Sequence, residues 1–210
     1  MKQFEPFAYN FEAYERELIE YRDLLSNRTE LKEREDILPF FTSRPHLASQ
    51  IATIHSSIVS TEKIAYEFDV FGDFKCDLAV GEPETHSYCF IEFEDATKDS
   101  LFVSRGKKYK SEFSPRLEHG FSQVVDWFYK LENLQNTLDM NERFGSYQIH
   151  YEGLLIIGRD QFVSDAEMKR LKWRVNNTVI NSKHIYCYTY DQLYYFFDKR
   201  LSYLKFLSSQ

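Results

Sequence analysis

The sequence carries no usable cysteine pattern. Its three cysteines, Cys76, Cys89 and Cys187, are odd in number, sit in apolar strand-like runs and form no CxxC. No histidine cluster completes a zinc spacing. The set fits buried, reduced thiols in a cytoplasmic protein. No run of eighteen apolar residues exists, so no transmembrane helix and no membrane role are expected. Met1–Asn10 has no apolar core, so no signal peptide is expected. A glycine-rich phosphate loop is missing, which argues against a nucleotide phosphohydrolase. There is no internal repeat and no low-complexity tract. Positive charge is in short supply too: the net charge is −7. That excludes a protein that coats nucleic acid along its whole surface, but leaves room for a local basic groove.

What is present is core material. Hydrophobic residues make up 43% of the 210 positions, with 19 Phe and 15 Tyr, enough for a packed globular domain rather than a disordered chain. The first sixty residues read as helices. Asn10 is placed to cap a helix from Phe11 to about Leu25, whose apolar residues recur at three and four. A second is expected from about Glu30 to Phe41, irregular at Pro39. A third, capped by Ser43 with Pro45 at its start, runs to about Ser56. These form an N-terminal helical extension, residues 1–60, that either covers the sheet or builds a subunit interface.

From about Lys63 the period changes to two. Strands are expected over Ile64–Val70, Phe74–Val80 and His86–Glu94, joined as an antiparallel meander with Gly81–Glu84 as a hairpin loop. A polar loop, Ala96–Phe113, follows. Ser114-Pro115 then opens a long helix to about Leu134. Tyr151–Gly158 is a continuous apolar strand, central in the sheet. Ser164 and Glu167 form a capping box for a helix to about Val175. Ile185–Tyr188 is a short strand and Tyr190–Leu207 a closing helix. The fold class is α/β, a mixed central sheet flanked by helices.

Chemistry concentrates in Asp77, Glu92, Glu94 and Gln123. Side chains alternate along a strand, so Glu92 and Glu94 share a face while Phe93 takes the other. Asp77 meets Glu92 if the hairpin register is right. Carboxylates this close to an apolar core need a cation, a donor or water, and oxygen ligands of this kind suit magnesium or manganese. On the long helix, Leu117, Phe121, Val124, Val125, Phe128 and Leu131 fall on one face. Arg116, His119, Gly120, Gln123 and Trp127 fall on a second stripe. Each residue also has an ordinary reading. Asp77 alone is a turn residue, Glu92 and Glu94 a solvated strand face, and His119 a partner for Glu118. The basic positions Arg105, Lys107, Lys108 and Lys110 are either a solvated loop or a phosphate clamp. Lys169, Arg170, Lys172 and Arg174 make a weaker run of the same kind. Trp127 and Trp173 read as core residues rather than base-stacking platforms. Glu67 and Asp69 read as structural.

Asp77, with Glu92-x-Glu94 fifteen positions on and then a helix carrying Gln123, resembles the PD-(D/E)XK nuclease core. The blocks FIEFEDA, SPRLEHGFSQVVDWF, GLLIIGR and YTYDQL resemble the Shedu-type antiphage defence proteins, over roughly residues 65–197. The resemblance implies a restriction-endonuclease-like domain over residues 61–210, a magnesium or manganese ion, DNA as substrate and assembly into a homo-oligomer. It makes Asp77 and Glu92 metal ligands, with the Phe93 carbonyl as a further one, and Gln123 the helix glutamine of such nucleases. Lys107, Lys108, Lys110, Arg116 and His119 would contact the nucleic acid. The departure is Glu94, where the pattern has lysine. The implied function is a metal-dependent DNA endonuclease of a defence system; the alternative is a degenerate nuclease-fold module that binds nucleic acid or a protein without cutting.

Overall fold

The computed structural model describes residues 3–54, 58–104 and 110–208. A two-residue strand, β1 (Glu5–Pro6), leads into helix α1 (Phe11–Asn27). Asn10 caps α1 as expected, its Oδ1 accepting the Ala13 N–H at 2.8 Å. The expected second helix is broken. A wide π-type turn (Glu33–Ile37) comes first, then α2 (Leu38–Thr42) with Pro39 in its first turn. Proline has no N–H to give an uninterrupted helix, so the chain changes helical type where proline enters. The third helix is also shorter: α3 (Pro45–Ser49) tightens into a single 3₁₀ turn, Gln50–Ile54.

The strands follow as β2 (Lys63–Val70), β3 (Phe74–Glu82) and β4 (Ser87–Phe93), an antiparallel meander as read from the sequence. The polar loop after them holds a small ladder that sequence periodicity did not suggest, β5 (Phe102–Val103) with β6 (Glu112–Phe113). Then come α4 (Pro115–Leu134), α5 (Leu138–Phe144), β7 (His150–Ile156), α6 (Asp165–Asn177), β8 (Val179–Ile180), β9 (Lys183–Tyr188) and α7 (Tyr190–Ser208). The main sheet has seven strands in the order β1-β2-β3-β4-β7-β9-β8. Pairing is parallel between β4 and β7 and between β7 and β9, and antiparallel elsewhere. The fold is thus a mixed α/β sheet flanked by helices. Among the described residues no helix is long and apolar enough to cross a membrane, and all three cysteines are buried free thiols.

Each face of the sheet carries its own core. On one side α1, α2, α3 and α7 bury Tyr14, Tyr21, Phe41, Leu47 and Phe197 against Leu78, Ile91, Phe93 and Leu154. The Tyr14 and Tyr21 hydroxyls donate to the Phe197 and Tyr190 carbonyls at 2.7 and 2.9 Å, tying α1 to α7. The N-terminal helices therefore cover the sheet. On the other side α4, α5 and α6 bury Leu117, Phe128, Met140 and Leu171 against Phe68, Phe90 and Leu155. Helix α4 crosses β7 closely. A Cβ on Gly153 would stand 2.3 Å from Val124 Cγ1, and one on Gly120 2.6 Å from Leu155 Cδ1. Glycine at both points lets α4 settle onto the sheet, and that fixes where Arg116, His119 and Gln123 stand. Ser114 caps the helix, accepting the Leu117 N–H at 2.9 Å.

Candidate active site

Asp77 and Glu92 are brought together by an irregularity in the sheet. The β2–β3 register pairs Tyr66 with Leu78 and Phe68 with Cys76, but skips Glu67 and Asp77. Glu67 takes a left-handed φ of +48°, costly for a residue with a Cβ. Around this point both strands turn over. Tyr66 and Leu78 pack with the first core, Phe68 and Cys76 with the second. The kink frees the Asp77 carboxylate from the pleat, and its Oδ2 accepts the Phe93 N–H at 2.8 Å. Continuing the β3–β4 register sets Asp77 opposite Glu92, as the sequence reading required. Phe93 faces away, its ring stacked on Phe41 at a centroid distance of 4.7 Å.

These acids, with Glu94 and Asp95 beyond them, line a cleft of about 570 Å³, together with Lys32, Glu33, Arg34, Glu35, Lys75, Arg116, His119 and Gln123. Six carboxylates thus face four permanent cations. Glu92 is only 7% exposed, and among the described residues its Oε2 has no hydrogen-bond partner. Gln123 Oε1 is a second buried acceptor with none. Burial, then the charges of Asp77 and Glu94, push the Glu92 carboxyl far above the usual range; the Gln123 amide offsets a small part. Asp77 is raised to about 7, chiefly by burial and then by Glu33, Glu94 and Glu67, against the lowering effect of the Phe93 N–H.

The sign of the stability effect follows. In the folded chain these two acids hold protons at pH values where the unfolded chain has released them. Their contribution to stability therefore falls as pH rises from the ordinary carboxylate range, to about 7 for Asp77 and to about 10 for Glu92. Glu92→Gln removes one of the two titrating carboxyls at constant shape. Its thermal midpoint should exceed that of the wild type near pH 8 by several degrees, and the gap should close near about pH 4. A gap that does not change across that range would show that the pair carries no such strain.

Glu94 is placed differently. It is 3% exposed, and its Oε2 accepts Arg116 Nη1 at 2.6 Å. Its backbone is pinned by the Ile156 carbonyl (2.9 Å) and by the Tyr190 hydroxyl (2.8 Å). Burial raises the Glu94 carboxyl and Arg116 draws it back down. The same guanidinium stands 3.5 Å from Glu33 and 3.2 Å from Asp95. Arg116, read from the sequence as a nucleic-acid contact, is thus also the internal counter-ion of three carboxylates.

The N-terminal segment supplies part of the site, which the sequence did not reveal. Leu31 and Ala96 exchange backbone hydrogen bonds, Asp95 Oδ1 accepts the Glu33 N–H at 2.8 Å, and Lys32 Nζ lies 3.4 Å from Asp95 Oδ2. This strap sets Glu33 among the acids more than forty positions away in sequence. A second hollow of about 720 Å³ shares Glu33, Arg34 and Asp77 with the first, and continues past Tyr66 and Glu67. Together they make a groove with Asp77 in its wall. Glu67, read as merely structural, is the residue that kinks that wall.

Of the other expected contacts, His119 and Gln123 line the cleft. Lys110 is exposed and does not line it; its neighbour Ser111 lies against α6 through Glu167 and Arg170. Arg105, Lys107 and Lys108 lie outside the described residues. Trp127 is core at 1% exposure, but Trp173 is 70% exposed, which corrects the reading of both as buried.

Among the described residues no three acidic, histidine or cysteine side chains already stand close enough together to hold a metal ion. The donor set still fits one. Two opposed carboxylates and an unpartnered buried oxygen at the foot of an open groove suit a hard cation that keeps several of its own waters. A family model described as Shedu protein SduA, C-terminal, matches residues 30–194, a span that holds the strap and every acid of the cleft. No curated protein gives a significant match.

Proposed function

The chain belongs to the Shedu protein SduA C-terminal family, and from that premise we propose that it is a metal-dependent DNA endonuclease of an antiphage defence system. The observation that carries this reading is the opposed pair of half-buried Asp77 and buried Glu92, with Glu92 Oε2 lacking any partner among the described residues. On this reading the sheet is a restriction-endonuclease-like core, and the chain works in the cytoplasm as a homo-oligomer.

Asp77 and Glu92 would hold the cation, with the Phe93 carbonyl as a further ligand. When bound, magnesium or manganese supplies Lewis acidity and offsets the carboxylate charge. Glu94 is held through Oε2 by Arg116, which leaves Oε1 to orient the attacking water and accept its proton. Arg116 stands where charge builds on the phosphate and partly offsets it. In this way it takes over the electrostatic part of the lysine that the nuclease pattern has at position 94. Gln123 fixes the Glu92 carboxylate, while His119 and Lys75 on the rim meet the strand entering the groove.

The test is cleavage of supercoiled plasmid by the purified chain. Nicked or linear product should form with magnesium or manganese and vanish with a chelator. A second reading, a nuclease-fold module that binds without cutting, rests on Glu94 already being spent on Arg116. Plasmid bound but uncut at every metal tested would sink the nuclease and leave that reading.

A further inference from the structure

Helix α6 carries a basic run that the cleft does not use, and the structure divides it in two. Arg170 and Arg174 turn inward. Arg170 Nη1 donates to the Ser111 carbonyl at 2.8 Å and its guanidinium covers the Phe102 and Phe113 rings. Arg174 forms a two-pronged pair with Glu118 at 2.5 and 2.7 Å, over the Phe113 and Phe121 rings. Lys169 and Lys172 turn outward, and among the described residues neither has a carboxylate within ion-pair distance. Trp173 directly follows Lys172 in the chain and is 70% exposed, and among the described residues its ring lies against no other ring or cation.

Positions four apart share a helix face, so Lys169 and Trp173 form one column, and Lys172 and Asn176 the next. Lys110 is exposed one residue before Ser111, whose carbonyl Arg170 holds, and so lies at the same end of the patch. We infer that this face of α6 is a binding site for an unpaired nucleic-acid strand, with a base stacked on the Trp173 indole and Lys169 and Lys172 on the flanking phosphates.

The chemistry favours this occupant. An exposed indole stacks on any base whose face is open, and bases inside a duplex offer no open face. Protein interfaces are depleted of lysine at their centres, while here two lysines without an ion-pair partner among the described residues stand beside Trp173 on the same helix. The chain as a whole is acidic, with a net charge of −7, so a polyanion is drawn to few places on it. The site adjoins the cleft without belonging to it: Glu118, held by Arg174, precedes the rim residue His119 on α4. The inference stands on α6 alone and does not depend on cleavage.

The chain has two tryptophans, and Trp127 is buried at 1% exposure, so the red edge of the emission belongs to Trp173. Titration of the whole protein with unlabelled oligothymidylate should quench that edge and leave the blue edge unchanged. By anisotropy of a labelled oligothymidylate, Trp173→Ala should bind about tenfold more weakly and Trp173→Phe nearly as well as wild type. Lys169→Gln with Lys172→Gln should make log affinity less steep against log salt by about 1.4. Thermal midpoints should be unchanged in all three. Oligothymidylate that binds without red-edge quenching, that binds Trp173→Ala as tightly, or that does not bind at all overturns the inference. Asp77→Asn should keep the quench. Quench without plasmid cleavage removes the nuclease reading alone, and cleavage without quench removes this site alone.

Discussion

Replacing Asp77 with asparagine should abolish metal-dependent plasmid cleavage and, at the same time, raise the thermal midpoint of the metal-free protein. The two effects have one cause. Asp77 is a half-buried carboxylate beside Glu92, and desolvation with the charges around it raises its pKa to about 7. At pH 8 it is ionised at a cost to the fold that a neutral isostere does not bear. Asparagine keeps an oxygen for the Phe93 N–H, now held at 2.8 Å, so the end of β4 stays capped. The relief should be about 1–2 kcal/mol, or about 2–8 °C in a chain of this size. A carboxamide is a poor ligand for a hard cation. Cleavage should fall by more than the 10–100-fold typical of losing a group that merely supports a ligand. The rise in midpoint that magnesium or manganese gives the wild type should disappear with it. Melting curves with and without manganese, run beside the plasmid assay, read both effects. A variant that is inactive because it is less stable, or one that keeps its manganese shift, would show that Asp77 is structural.

The sequence made part of this site legible, and for a physical reason. A strand has a period of two, so Glu92 and Glu94 had to share a face. A short hairpin has few registers, so Asp77 had to come near Glu92. A helix that follows with Arg116, His119 and Gln123 on one stripe had to turn them toward the same place, and all three line the cleft. Contacts made across long stretches of chain left no such trace. The strap that brings Glu33 in depends on backbone pairing of Leu31 with Ala96, which no side-chain pattern encodes. The turnover of β2 and β3 at Glu67 and Asp77 leaves the local alternation looking merely loose. Trp173 is a different case, because its signal was present. Met168, Leu171 and Val175 form the inward stripe of α6, and two positions past Leu171 points to the opposite side. Size alone suggested core, while periodicity said surface.

Position 94 gives the second large effect. Glu94→Lys restores the residue of the nuclease pattern, yet by itself it should harm the protein. The new ammonium would enter a site 3% exposed, where the Arg116 guanidinium now lies 2.6 Å from the carboxylate. Breaking one side of a buried pair costs about 3–5 kcal/mol. Arg116 is 41% exposed and has Glu33 and Asp95 to turn to, so about 2 kcal/mol is the expected loss, a fall of roughly 4–8 °C. Cleavage should drop about a hundredfold, the scale for losing one charge-stabilising group. Adding Arg116→Gln to Glu94→Lys removes the repulsion and leaves one cation beside Asp77 and Glu92, as in the wild type but carried by the strand instead of the helix. The double variant should regain most of the lost midpoint and cleave within about tenfold of wild type. Arg116→Gln alone should lose cleavage, because Glu94 is then buried without its counter-ion. If the double variant folds like the wild type but cuts no better than Glu94→Lys, then Arg116 does not stand in for the lysine. The Glu94–Arg116 pair would then be a structural clasp between β4 and α4.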